Sequence, residues 1–468
     1  MTLASRLAMP RTTIHLSFDR GTLRFDNLGP HALPGVVWDA RVDGFRAAAY
    51  RYHSVLAAAA SMSVGVVDEV AFAFDRNAAP WTTPTLRPYQ EDSLRAWRAF
   101  GARGVVAMPT GSGKTILAVA ALAQARAPSL VLCPTRALLE QWERELARWY
   151  QGPIGVVGDG ERRVEDVTVM TFESAFRQLD VLGDRFRVVV VDEAHHFASG
   201  IRAEALEMCV APMRLGLTAT APTEGSAGAQ RLAELIGPTV CEIAVGELLG
   251  THLAELELTR LSVRLDPDEA DDYERSYRPF AELRATFMRA NPGADWVSCM
   301  RAMSRSAAGR AAISGYHRAV ALASFPRAKR TLVAALLARH RDDKSLVFTA
   351  STDDAYAIAL EHLIPVVTAE TDRAERAEIL ARFRDGTYRA IVSARVLNEG
   401  IDVPDARVAI VAAGRFGERE HVQRIGRVLR PAAGKRALVY ELVTAGTLDD
   451  GRARARGRRL AAREAALV

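Results

Sequence analysis

Met108-Pro-Thr-Gly-Ser-Gly-Lys-Thr115 decides how this chain reads. The apolar run Gly104–Met108 precedes it, and the run Ile116–Ala127, which reads as a helix, follows it. Glycines between a strand and a helix let backbone amides converge on a phosphate, and the helix N-terminus adds positive potential there. In such a loop Lys114 reaches the β- and γ-phosphates of a nucleotide and the Thr115 hydroxyl ligates Mg²⁺. Thr110, Gly111, Ser112, Gly113, Lys114 and Thr115 are thus the expected phosphate cradle. The strict pattern has Gly where this chain has Met108. A plain glycine-rich turn is the alternative, and the strand–loop–helix context disfavours it.

The next block is Val188-Val-Val-Val191, followed by Asp192-Glu193-Ala194-His195-His196. A buried parallel strand delivers two carboxylates at its C-terminal end, where open α/β sheets bind ligands. Asp192 suits Mg²⁺ and Glu193 suits orienting and deprotonating a water. Leu217-Thr218-Ala219-Thr220-Ala221 closes another strand. Its hydroxyls, Thr218 and Thr220, are candidate couplers between sites, and so are His195 and His196, which lack a third partner for a metal site. In Gln423-Arg424-Ile425-Gly426-Arg427-Val428-Leu429-Arg430, Arg427 and Arg430 share a helical face, as a γ-phosphate clamp requires.

Around these blocks the chain alternates strands and helices. Gly104–Met108, Ser129–Cys133, Val167–Thr171, Arg187–Val191 and Leu215–Thr218 form one series; Ser345–Thr349, Arg389–Ser393, Val408–Ala412 and Ala437–Tyr440 form a second. The pattern predicts an α/β protein with two parallel sheets, helices on their faces. Asp266–Arg318 between the series is polar and helical, Ile14–Phe18 and Thr22–Phe25 flank a hairpin turn, Ser54–Met62 reads as a helix, and Asp75–Pro84 reads as a linker. The expected division is 1–80, 85–245, 246–450 with a helical insertion at 266–318, and a basic tail at 451–468.

With 49% apolar and 25% charged residues in 468, the chain is globular rather than disordered, with material for more than one core. No apolar run reaches membrane-spanning length, and Met1–Arg11 has no signal-peptide core. The four cysteines lie far apart, which argues against zinc and disulfides and suits a cytoplasmic protein. The net charge of +5 equals that of the tail after residue 450, with six Arg and one Glu, so a nucleic-acid groove must come from local charge sorting. Only four of the 61 basic residues are Lys, so no single Arg is informative by itself.

These blocks, in this order, resemble the motifs of superfamily 2 helicases over about residues 86–445, and within them the XPB group in its short archaeal and bacterial form. Leu86-Arg87-Pro88-Tyr89-Gln90 resembles the adenine-recognising motif, which implies Arg87 and Gln90 at the base. Pro134-Thr135-Arg136-Ala137-Leu138 resembles the strand-contacting motif, and the resemblance adds Thr171 and Thr349 to the nucleic-acid residues. Val396-Leu397-Asn398-Glu399-Gly400-Ile401-Asp402-Val403-Pro404 resembles motif five, placing Gly400 and Asp402 at the nucleotide; Gln423 joins Glu193, Arg427 and Arg430 among the catalytic residues. Val42–Tyr52 is similar to part of that group's damage-recognition domain, and 266–318 sits where the group has its thumb.

The resemblance implies two RecA-like domains, ATP and Mg²⁺ as cofactors, single-stranded or forked DNA as partner, 3′-to-5′ polarity, a repair setting and a nuclease partner. One element departs. Where the group has Arg-Glu-Asp, this chain has Thr223-Glu224-Gly225, with Arg231 the nearest arginine that could substitute. Translocation on duplex DNA without unwinding, an RNA helicase, and a DNA-binding scaffold that uses ATP only as a switch stay open as readings. Phe45, Tyr50, Arg51 and Tyr52 read either as a basic-aromatic nucleic-acid face or as ordinary core; Trp97 and Trp142 read as core.

Overall fold

A computed structural model describes residues 13–29, 31–70, 79–200, 202–248, 255–394, 406–413 and 436–454. Its contacts divide the chain into two units, Met1–Pro109 with Gly113–Ile243, and Thr110–Ser112 with Ala244–Val468.

The first unit opens with a five-stranded sheet. Its strands are β1 (Thr13–Asp19), β2 (Thr22–Asp26), β3 (Val37–Asp39), β4 (Gly44–Ala48) and β5 (Gly65–Asp68), in the order β3-β4-β2-β1-β5. β1 and β2 are the expected hairpin. Ile14, Leu16, Leu23, Phe25 and Ala47 alternate onto one face and pack with Val55 and Ala59 of the helix Tyr52–Ser61. Val210 joins this core from the neighbouring layer.

Of the two readings of Phe45, Tyr50, Arg51 and Tyr52, packing within the unit is the one seen for the two buried tyrosines. Tyr50 Oη donates to Glu234 Oε1 at 2.7 Å, Arg51 pairs with the same carboxylate at 3.5 Å, and Tyr52 Oη donates to Asp68 at 2.5 Å. Tyr50 and Arg51 thereby tie the small sheet to the helix Ala227–Leu235. Glu234 also pairs with Arg231 at 2.8 Å. The Tyr50 hydrogen bond, then Arg231, hold the Glu234 carboxyl below the usual glutamate value. A depressed folded pKa means that the stabilisation is complete above the ordinary glutamate pKa and is lost as pH falls through the folded one. Unfolding temperature is therefore expected to fall in acid, below pH ~4.5. Glu234→Gln should flatten that part of the pH–stability curve; an unchanged acid limb would show that this junction does not contribute.

The larger sheet of this unit comprises β6 (Arg103–Ala107), β7 (Ser129–Cys133), β8 (Ile154–Gly158), β9 (Glu161–Arg163), β10 (Val167–Thr171), β11 (Val188–Val191), β12 (Met213–Thr218) and β13 (Thr239–Glu242). The order is β13-β6-β12-β11-β7-β10-β8-β9, parallel except for the hairpin β8–β9. Val188–Val191 is fully buried, as a central parallel strand flanked by helices must be. The helix Lys114–Ala125 is nearly as apolar, with Leu117 to Ala123 all buried. It starts after Gly113 and ends at Arg126, both left-handed.

In the second unit β14 (Glu255–Val263), β15 (Ser345–Thr349), β16 (Val366–Val367), β17 (Ala390–Ala394), β18 (Val408–Val411) and β19 (Arg436–Thr444) form an all-parallel sheet in the order β14-β19-β18-β15-β17-β16. The expected α/β class with two parallel sheets holds. β14 is absent from the predicted series, although the apolar–polar alternation of Glu-Leu-Glu-Leu-Thr-Arg-Leu-Ser-Val is a strand signal. The insertion is helical, as expected: Pro267–Ala290, Trp296–Ser304 and Ala307–Ser324 pack around Tyr277, Phe280, Cys299, Met303 and Tyr316. Lys329, fully buried, pairs with Asp449 at 2.8 Å and donates to Ser324 O, fixing the base of this bundle to the end of β19.

Candidate nucleotide and nucleic-acid site

β6 delivers the phosphate-loop sequence directly. Met108, where the strict pattern has Gly, directly follows β6 and continues its pairing toward β12. Its amide donates to Thr218 O at 2.9 Å, its side chain is fully buried, and Ser93 Oγ donates to its sulfur at 3.8 Å. The loop then turns at Gly111 (φ +86°) and Gly113 (φ +83°), a backbone that side-chain-bearing residues rarely adopt. A Cβ at Gly113 would also lie 2.5 Å from the Gln90 amide. Lys114 Nζ lies against its own loop, donating to Met108 O (2.9 Å) and Pro109 O (3.3 Å).

Gln90 and Arg87 form a capping box at the start of the helix Pro88–Ala99. Arg87 N donates to Gln90 Oε1 at 2.9 Å, and Gln90 Nε2 donates to Gly113 O at 3.2 Å. Gln90 therefore braces the phosphate loop from the segment expected at the base.

Asp192 and Glu193 leave the C-terminal end of β11 two strands from β6. The Asp192 carboxylate is buried and accepts from Glu193 N (2.9 Å) and from the indole Nε1 of Trp142 (3.0 Å). Burial and the Asp192 charge together push the Cys133 thiol well above its usual pKa, so it stays neutral. Glu193 is left-handed (φ +49°), and its Oε2 lies 3.4 Å from His195 Nδ1. His195 Nδ1 also lies 3.3 Å from Thr218 Oγ1. Thr218 Oγ1 donates to Thr220 O, while Thr220 Oγ1 is buried with no hydrogen-bond partner among the described residues. His195 thus lies against Glu193 and Thr218, and His196, the other coupling candidate, stacks on His195 and meets the edge of Phe172.

Three of the expected nucleic-acid residues come together. Thr135, Arg136 and Thr171 line a cleft of about 570 Å³ at the C-terminal ends of β7, β8 and β10, with Gly158, Ser174 and Arg177. Thr135 caps the helix Arg136–Trp149, accepting from Leu138 N at 3.3 Å. Arg136 is mostly exposed and pairs with Asp159 at 2.5 Å. Thr171 Oγ1 donates to Ser174 Oγ at 2.9 Å. Thr349 lies on the other sheet, buried, its hydroxyl donating to Ser351 O at 2.9 Å. Gly400, Asp402, Gln423, Arg427 and Arg430 lie outside the described residues.

Arg231 does not stand in for the missing arginine of Thr223-Glu224-Gly225. It is engaged by Glu207 and Glu234, toward the small N-terminal sheet. The three replacing residues form an exposed turn, with Gly225 at φ +74°. Sequence reasoning missed Trp142 as a partner of Asp192, because fifty residues separate them. It also missed Ser174 and Arg177, which only the pairing of β10 beside β7 brings to the cleft.

A parallel sheet carrying Lys114 at a helix start and Asp192-Glu193 at a strand end, with a second parallel sheet in the same chain, defines the two-sheet helicase class. Family models match in chain order: the xeroderma pigmentosum group B helicase damage recognition domain at residues 16–70, the type III restriction enzyme res subunit at 83–223, and the helicase conserved C-terminal domain at 328–432. The DNA 3′-5′ translocase XPB2 of Sulfurisphaera tokodaii is 32% identical over 93% of this chain and 98% of its own length. The DNA 3′-5′ helicase XPB of Mycobacterium tuberculosis is 29% identical over 82% of this chain and 65% of its own. The Saccharomyces cerevisiae Dbp5 variant solved with RNA and ADP BeF3 has the same fold (TM-score 0.53, 15% identity, covering 80% of this chain and 87% of that one). The chain belongs to the XPB family of ATP-hydrolysing superfamily 2 helicases.

Proposed function

We propose that the chain is an ATP-driven motor moving 3′ to 5′ on DNA, acting in DNA repair in the cytoplasm, on single-stranded or forked DNA and with a nuclease partner. The observation that carries this reading is one sheet that ends in both a phosphate loop and a buried Asp192 followed by Glu193, beside a cleft lined by Thr135, Arg136 and Thr171. The names of the relatives supply the polarity and the DNA. Among the described residues no helix is long and apolar enough to cross a membrane.

The residues fit ATP and Mg²⁺. Two left-handed glycines open the loop amides, and the hydroxyl of Thr115 and the carboxylate of Asp192 are the hard oxygen donors that Mg²⁺ prefers. Thr110–Thr115 would hold the phosphates, Arg87 and Gln90 would flank the base, and Glu193 would orient and deprotonate the attacking water. Mg²⁺ would neutralise charge developing on the phosphates. By the motif resemblance, Gly400, Asp402, Gln423, Arg427 and Arg430 would complete the site. His196, Thr218 and Thr220 would relay nucleotide state to the strand. The working division is 1–80 for DNA recognition, 85–245 and 246–450 for the two motor domains with the thumb at 266–318, and 451–468 as a basic tail.

Among the alternatives, a duplex translocase has specific support. An arginine can pair with a phosphate or stack on a base at a fork, whereas Thr223 and Gly225 offer neither charge nor a planar face. Turnover is expected to rise with DNA and not with RNA, while fork unwinding by the protein alone stays weak. The experiment compares ATPase without nucleic acid and with single strand, duplex, fork and RNA, beside fork unwinding. Stimulation by RNA alone, or by nothing, would refute the motor on DNA, and unwinding that keeps pace with ATPase would remove significance from the turn. Thr223→Arg is the restoring variant of choice, because a side chain at Gly225 would strain a left-handed backbone by about 1 kcal/mol.

A further inference from the structure

The helix Arg136–Trp149 has one end in the cleft and its middle on the metal carboxylate. Thr135 and Arg136 at its start line the cleft. Trp142 lies seven residues beyond Thr135, two turns or roughly 10 Å along the axis. It is almost wholly buried, and its indole N–H donates to Asp192 Oδ2 at 3.0 Å. Leu138 and Leu139 between the two points, and Leu146 one turn beyond Trp142, pack in one core with Val131, Cys133 and Val190. A tightly packed interior shifts as a body rather than bending locally. Displacing the Thr135 end therefore moves the indole.

The bond has a definite chemical direction. An indole N–H is only a donor, so it can hold Oδ2 in place but cannot take a proton from it. A hydrogen bond to an ionised acceptor is stronger and more orienting than a neutral one. The Glu193 amide holds Oδ1, so the carboxylate is gripped from its own strand on one side and from the cleft helix on the other. A donor behind a metal-binding carboxylate fixes which lone pairs face the ion.

We propose that Trp142 is a positioning residue through which a nucleic-acid strand in the Thr135–Arg136–Thr171 cleft orients the Asp192 carboxylate, so that strand binding and Mg²⁺–nucleotide binding strengthen each other. The inference rests on the motor reading above, and it assigns the coupling to one hydrogen bond on one helix. By linkage the effect is reciprocal: whatever factor the strand contributes to Mg²⁺–nucleotide affinity, Mg²⁺–nucleotide contributes to strand affinity.

The test uses the full chain and equilibrium binding without turnover. A fluorescent ADP analogue is titrated with and without Mg²⁺, and with and without a single-stranded DNA oligonucleotide, against the parent, Trp142→Phe and Leu139→Ala. Trp142→Phe removes the N–H and keeps an aromatic ring. Leu139→Ala loosens the same helix and keeps the N–H. In Trp142→Phe the half-saturating Mg²⁺ concentration is expected to rise about 10-fold, the low end for loss of a donor behind a metal ligand. The coupling factor between strand and Mg²⁺–nucleotide should fall toward one. Mg²⁺-free nucleotide affinity and strand affinity without nucleotide should stay at parent values. Leu139→Ala should lower the unfolding temperature and keep the parent half-saturating Mg²⁺ concentration in the absence of strand. Trp142→Met, which also lacks a donor, carries the same expectation and replaces the Phe variant should that one not fold. Parent-like Mg²⁺ dependence and coupling in Trp142→Phe would overturn the proposal alone, as would an equal rise of the strand-free half-saturating Mg²⁺ concentration in Leu139→Ala. Absence of any coupling in the parent would overturn both the proposal and the motor reading beneath it.

Discussion

Glu193→Gln is expected to bind ATP about as well as the parent and to turn it over at least ~10²-fold more slowly, the low end for loss of a positioned general base. Glutamine keeps the length and planar end of the side chain, so packing and nucleotide contacts survive. It cannot accept a proton from water. The backbone supports the assignment: Glu193 sits in the left-handed region (φ +49°, ψ +48°), where a side-chain-bearing residue costs about 1 kcal/mol or more. Such strain persists where the surroundings over-determine it, and it clusters at functional sites. Here the neighbouring Asp192 carboxylate grips the Glu193 amide, and His195 Nδ1 stands 3.4 Å from its Oε2. Lys114→Ala is the informative contrast. It removes charge from the phosphate loop and should weaken both binding and turnover. Nucleotide affinity and steady-state turnover measured together separate the two patterns. ATP hydrolysis by Glu193→Gln at the parent rate would remove Glu193 from the chemistry.

The parts of this site that were legible in the sequence are those whose chemistry is local. The stretch Thr110–Thr115 announces itself because loop, glycines and helix start are contiguous. Asp192-Glu193 does so because a run of four valines can only be a buried strand, whose end must then carry the carboxylates outward. The cleft needed one further step, since Thr135 follows β7 and Thr171 ends β10, and only the pairing of those strands makes them neighbours. What remained hidden depends on contacts that no spacing rule encodes. Trp142 looked like an ordinary helix-packing tryptophan, and it is buried as one, but its single polar atom found Asp192 across the sheet. Tyr50 and Arg51 read equally as a nucleic-acid face or as core, and Arg231 as a substitute at the fork, until the structure set Glu234 and Glu207 against them within the first unit. Charge along a chain this rich in arginine carries little information until the partners are known.

Arg214→Met is expected to be the most destabilising single change in the first unit. The strand β12 reads Met-Arg-Leu-Gly-Leu-Thr, and alternation would send Arg214 to a surface. It is instead fully buried. Its Nε donates to Ala211 O at 2.9 Å, its Nη1 to Leu206 O (3.2 Å) and Leu235 O (2.6 Å), and its Nη2 to Cys209 O. Leu206 and Leu235 belong to the last turns of the helices Ala203–Glu207 and Ala227–Leu235, where carbonyls lack partners and the helix dipole favours a cation. One guanidinium therefore closes two helices and the loop between Leu206 and Ala211. Burial pulls its pKa down from the usual arginine value, but no carboxylate is paired with it among the described residues, and carbonyl dipoles carry the compensation. Methionine fills much of the volume and donates nothing, leaving buried carbonyls bare at about 1–3 kcal/mol each. Even with partial relaxation the loss should exceed about 4 kcal/mol, in the exceptional range for one substitution. For a unit of this size that corresponds to roughly 10 °C or more in unfolding temperature. Arg214→Lys should recover little, since a lysine has three donors on a point charge and no planar fork to span two helix ends. Thermal and denaturant unfolding of the three proteins decide the matter, and a shift of only one or two degrees in Arg214→Met would show that these carbonyls find other donors.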